Sequence, residues 1–102
     1  MTMRQKPDDR KYQILTAAIA VAARPGGWSK LTRDAVAREA QCADGLVSKY
    51  FGTMTAMRRT IMRSAVLTEN LSILAQGLAM GDVHAQKADE SLKRKALETL
   101  AG

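Results

Sequence analysis

The chain has 102 residues, 46% hydrophobic and 25% charged, with 16 Lys/Arg against 10 Asp/Glu, one His and one Cys. That length suits one small domain with limited surface to bury. A lone cysteine excludes an internal disulfide and fits a reducing cytoplasm, and no apolar run near 18 residues or signal peptide is present, so neither membrane insertion nor a membrane partner is expected. The charge is uneven. Residues 1–63 carry 12 Lys/Arg against 5 Asp/Glu, a net +7, whereas residues 64–102 carry 4 against 5, a net −1.

Residues 1–9 hold Pro7 and the charged Arg4, Lys6, Asp8 and Asp9, and read as a flexible N-terminal arm. Asp8 or Asp9 can cap a first helix running to about Arg24, with Ile14, Leu15, Ala18, Val21 and Ala22 at helical spacing as core. Pro25-Gly26-Gly27 stops it. Trp28, a lone large aromatic after the turn, reads as a plug between helices.

The stretch Thr32 to Phe51 organises the rest. Thr32 is a good N-cap, with Asp34 in the first turn of the helix it starts. Val36 and Ala40, four apart, face inward. A break at Gln41-Cys42-Ala43 leads to a second short helix in which Val47 and Phe51 face inward, leaving Gly45, Leu46, Ser48 and Lys49 outward or on the flanks. Cys42 reads as a buried structural thiol. Two short helices with a tight turn, buried on one side, read as a helix-turn-helix. The basic half of the chain is the half that carries it, as a phosphate-binding surface requires.

After Gly52, Thr53 or Thr55 begins a long helix. Met57, Ile61 and Ala65 form one row that should cover the helix-turn-helix, and Leu67, Leu71, Leu74 and Leu78 form another with nothing left to cover. Arg58, Arg59 and Arg63 read as a solvated face. Gly77 and Gly81 bracket a break, and Asp82 can cap a last helix with Ala85, Ala88, Leu92, Ala96 and Leu100 along one face. Lys93, Arg94 and Lys95 read as solvated, and His84 as a surface residue. No Cys/His/carboxylate cluster, phosphate loop or nucleophile elbow appears, so no catalytic residue, metal site or cofactor is expected.

Residues 14–57 resemble the N-terminal DNA-binding domain of the TetR family of bacterial transcriptional regulators. The resemblance rests on Ile14-Leu15 with Ala17-Ala18, Gly27-Trp28, Thr32, Val36-Ala37, Glu39-Ala40, Gly45, Tyr50-Phe51 and Thr53, in that order. The chain departs from the family at Gln41-Cys42-Ala43, where Gly-Val-Ser is usual, at Val47-Ser48, where a Leu-Tyr pair is usual, and near Met54, where a phosphate-binding lysine is common.

The resemblance implies an all-α fold: a TetR/homeodomain-like three-helix domain over 10–55, then a long helix and a short dimerisation helix over 56–102. It implies a homodimeric repressor of double-stranded DNA at a palindromic operator. The expected DNA-binding residues are Thr32, Arg33, Ala43, Asp44, Gly45, Leu46, Ser48, Lys49, Tyr50, Thr53 and Thr55. The expected dimer interface is Leu67, Leu71, Leu74, Leu78, Leu92, Ala96 and Leu100. Members of the family usually carry a larger domain that binds a small-molecule inducer. The residues after Met57 are too few to enclose a drug-sized pocket, so no inducer is expected. The alternative is a small helical interaction module, an adaptor or anti-repressor, that keeps the fold and binds protein.

Overall fold

The computed structural model describes residues 7–101, whose regular structure is all helix. The arm expected over residues 1–9 lies outside the described residues as far as residue 6. Helix is described from Pro7, a residue whose fixed φ and missing N–H suit a first helical turn. The elements are α1 (Pro7–Ala23), α2 (Arg33–Ala40), α3 (Asp44–Phe51), α4 (Met54–Thr68), α5 (Leu71–Ala79), α6 (Val83–Gln86) and α7 (Glu90–Ala101). No helix is long and apolar enough to cross a membrane among the described residues.

α1 buries Ile14, Ala18, Val21 and Ala22 against α2 and α4. Val36 and Ala37 of α2, Val47 and Phe51 of α3, and Met57, Ile61, Met62 and Ala65 of α4 complete this part of the core. The Met57/Ile61/Ala65 row is buried in this core, with α4 packed against α1 and α3. Trp28, 3% exposed, plugs the space between α1, α4 and α5.

The loop from α1 to α2 is tied from two sides. Its tight return brings Gly27 against the end of α1: a Cβ there would lie 2.0 Å from the Val21 carbonyl oxygen and 2.9 Å from that of Arg24. Only glycine fits. The Arg58 guanidinium of α4 donates to the carbonyls of Trp28 (2.7 Å) and Leu31 (3.0 Å) and stacks over the Trp28 ring at 5.0 Å. Arg58 is thus a structural clamp and not the solvated residue expected. From α5, the Gln76 amide donates to the Ala22 carbonyl (2.8 Å) and accepts the Trp28 backbone N–H (2.8 Å), and the Ser72 hydroxyl donates to the Ala23 carbonyl (2.6 Å). These bonds satisfy carbonyls that the end of α1 leaves open.

The expected long helix is broken. α4 ends at Thr68 with Glu69 in the left-handed region (φ 55°), whose N–H reaches back to the Val66 carbonyl, and the Asn70 N–H reaches Ala65 (2.8 Å). Asn70 then caps α5, its side chain accepting the Ile73 N–H at 3.2 Å. The reversal folds α5 back onto α1, α4 and α7. Gly77, expected at a break, lies inside α5. A Cβ there would meet the Met62 methyl at 2.2 Å and the Ala85 Cβ at 3.1 Å, so its bareness lets α5 approach α4 and α6. Asp82 does cap the next helix, accepting the Ala85 N–H at 2.9 Å, but that helix is the single turn α6. Asp89 caps α7 by accepting the Leu92 N–H at 2.8 Å.

The reversal overturns much of the expected dimer interface. Leu74 and Ala96 are 0% exposed and Leu92 8%, all inside the chain's own core, and Leu71 and Leu78 are half-buried against it. Leu67 and Leu100 alone of that set stand exposed. Lys93 is likewise no solvated residue: its ammonium pairs with Glu90 (2.8 Å) and donates to the Gln86 carbonyl (3.1 Å). His84 is half-buried.

Candidate nucleic-acid interface

α2 and α3, eight residues each, are joined by three residues, Gln41 to Ala43. Thr32 opens α2 with its hydroxyl accepting the Ala35 N–H at 3.1 Å, so its side chain is engaged as a cap. Gln41 closes α2 in the left-handed region (φ 56°), its N–H reaching the Ala37 and Arg38 carbonyls, while the Cys42 N–H bonds Ala37 at 2.9 Å. This is the paired-bond helix ending that glycine usually supplies. Cys42 packs half-buried against the core.

α3 starts without a side-chain cap, since Ala43 has no oxygen to offer. Asp44 in the first turn places a carboxylate at the positive helix end. Val47 and Phe51 point inward, with Leu46 and Tyr50 half-buried beside them. The outward face is set by Gly45 and Lys49, four apart and both exposed, with Ser48 half-buried on its flank. Nothing lies within 4 Å of where a Gly45 Cβ would stand. The Lys49 ammonium sits 5.6 Å from the Tyr50 ring centroid, and Lys11 of α1 lies 5.8 Å from that of Phe51.

A turn at Gly52 (φ 72°) leads directly into α4. Thr53 caps it, accepting the Ala56 N–H at 3.1 Å, and no acid occupies the first turn of this 15-residue helix. No acid of its own first turn therefore offsets the positive end of α4. Thr55 is exposed beside it. On α2, Arg38 pairs with Asp34 (3.1 Å), and Glu39 takes Arg24.

The expected DNA-binding residues thus divide. Thr32, Ala43, Asp44, Gly45, Lys49, Thr53 and Thr55 are exposed, whereas Arg33, Leu46, Ser48 and Tyr50 are half-buried. Arg33 is half-buried, and its Nε is buried without a hydrogen-bond partner among the described residues. Leu46 packs partly into the core, which limits what it can offer outward. Arg58 was missed as a positioning residue. Its signal was its place five residues after the Thr53 cap, within reach of the loop that carries Trp28. Arg59, on the next position of α4, is exposed.

Among the described residues no three His, Cys, Asp or Glu gather into a group that could hold a metal ion. Grooves on the second half are open to solvent: one lies between α4 and α6 beside Val66, Leu67, His84 and Lys87, another along α7. Comparison with family models, curated proteins and solved structures gives no match.

Proposed function

We propose that this chain is a sequence-specific regulator of transcription that binds double-stranded DNA through α2 and α3 as a TetR-like helix-turn-helix. It acts in the cytoplasm as a homodimeric repressor. Each copy lays α3 into one of two successive major grooves of a palindromic operator and blocks the polymerase. The observation that carries this reading is the outward face of α3. Gly45 and Lys49 are exposed together there, the acid-free, Thr-capped end of α4 follows two residues after the helix, and the whole lies in the half of net charge +7.

In this mechanism the bare Gly45 lets the helix backbone approach the groove floor. Ser48 exchanges one hydrogen bond with a base edge, and the exposed part of Leu46 touches a thymine methyl. Lys49 meets the phosphate backbone as a point charge. Backbone N–H groups at the Thr53-capped end of α4, and at the Thr32-capped start of α2, hold further phosphates. Tyr50 closes the helix near the backbone. No inducer is needed, and the amount of protein sets the degree of repression.

The test is selection of bound sequences from a random duplex pool at low salt, followed by gel shifts on the selected and a scrambled duplex. An inverted repeat with half-site centres about one helical turn or somewhat more apart is expected. Failure to retard any duplex would sink the reading. Asp44 favours a second one: a carboxylate at the start of α3 repels phosphate there and suits a protein surface with basic groups, as in an adaptor or anti-repressor.

A further inference from the structure

α7 turns one stripe outward. Glu90, Arg94, Leu97 and Glu98 follow the i, i+4, i+7, i+8 spacing of a single helix face, and together with Leu78 of α5 they line an open groove. Leu97 is 48% exposed, whereas Leu92, the preceding leucine of α7, is buried. Glu90 is engaged by Lys93 at 2.8 Å. Arg94 and Glu98 are both exposed, stand four apart on the same face, and enter no ion pair with each other or with any other described residue. The stripe therefore presents an apolar centre with an unspent cation on one side and an unspent anion on the other.

Such a pattern is complementary to itself in only one sense of pairing. Parallel helices would set Arg94 against Arg94 and Glu98 against Glu98. In an antiparallel pair about a two-fold axis, the numbers of facing residues add to a constant. Placing Arg94 opposite Glu98 of the other copy puts the axis level with Ala96, whose side chain is buried underneath. Leu97 of each copy then lies about 1.5 Å along the helix from the axis, so the two leucines meet across it. One Arg94–Glu98 pair forms on each side, and the half-buried Leu78 extends the apolar floor.

We propose that α7 packs antiparallel against α7 of a second copy, with Leu97 against Leu97 at the two-fold axis and Arg94 paired to Glu98 in both directions. This rests on the homodimer in the reading above, and replaces the leucine row as its contact. It does not depend on DNA.

The experiment is sedimentation equilibrium, without DNA, on the unmodified protein, Arg94→Glu, Glu98→Arg and the double variant. All positions are exposed, and far-UV circular dichroism checks that each variant is helical. Self-association at micromolar concentration is expected for the unmodified chain. Each single reversal places two like-charge pairs in the contact and should weaken association roughly tenfold or more. The double variant restores both pairs with their signs exchanged and should return to within roughly threefold of the original. An unmodified chain that stays monomeric overturns the contact and the dimer together, while a gel shift reads the DNA reading separately. Single reversals without effect, or a double variant no better than the singles, overturn the antiparallel register even where a dimer forms.

Discussion

Arg58→Ala tests the clamp that joins the loop before α2 to α4. The side chain makes two bonds, 2.7 Å to the Trp28 carbonyl and 3.0 Å to that of Leu31, and stacks on the indole at 5.0 Å. A hydrogen bond from a charged group contributes about 1.5–3 kcal/mol, and a guanidinium over tryptophan about 0.5–2 kcal/mol. Both bonds are part-buried, so water can recover some of the loss at the freed carbonyls. The low end applies, and the net cost should be about 3 kcal/mol. That is a large share of the roughly 5–15 kcal/mol expected for a domain of this size. It should lower the melting temperature by roughly 12–24 °C. Arg58→Lys keeps the charge but loses the fork and should fall between. Arg59→Ala, one residue on and exposed, should change stability by less than about 0.5 kcal/mol. Urea unfolding followed by Trp28 fluorescence and by far-UV circular dichroism measures all three. An Arg58→Ala loss no greater than that of Arg59→Ala would refute the clamp.

Gly27→Ala should prevent folding or cost more than about 3 kcal/mol, because the added methyl meets backbone oxygens at 2.0 and 2.9 Å that no rotamer change can move; soluble yield and circular dichroism report it. Leu74→Asp should unfold the chain, since Leu74 is 0% exposed within one copy; a folded monomer in sedimentation would contradict its place in the core. On DNA, Lys49→Ala should weaken operator and scrambled duplex alike and reduce the salt slope by roughly one unit. Ser48→Ala should weaken the operator by about 1 kcal/mol or more and leave scrambled duplex nearly unchanged. A Lys49→Ala variant that relaxed preference at one base pair with its salt slope intact would reverse these roles.

The first half of the fold was legible because each element there carries its own boundary marker. Thr32 and Thr53 cap as hydroxyl residues at helix starts do, Pro25-Gly26-Gly27 ends α1, and the inward residues of α1 to α4 recur at helical spacing. Spacing also identified Gly45 and Lys49 as outward on α3. It could not separate Leu46 and Ser48, at the edges of the buried stripe, from residues fully in solvent, because a flank position is covered or bare according to the neighbouring helix. Arg58 shows the same limit. Its partners are the carbonyls of Trp28 and Leu31, and backbone carbonyls leave no trace in a pattern of side chains.

The second half misled because its main turn lacks the usual residue. Helices that end in the left-handed region commonly use glycine there, and at Glu69 a glutamate takes that conformation. The Leu67/Leu71/Leu74/Leu78 row consequently reads as one continuous stripe, although a reversal at Glu69–Asn70 separates its first leucine from the other three. Asn70 and Asp89 were the available signals, both cap-forming residue types, and both accept a backbone N–H three residues on. Misplacing the turn has a direct consequence for association. A continuous helix would leave Leu74 seeking a partner outside the chain, whereas the folded-back α5 packs on α7, and Leu74, Leu92 and Ala96 are buried in one cluster within one copy. With those three buried, the contact proposed above for a second copy uses what α7 still turns outward. In that proposed contact the charges Arg94 and Glu98, and not a row of leucines, set the antiparallel direction.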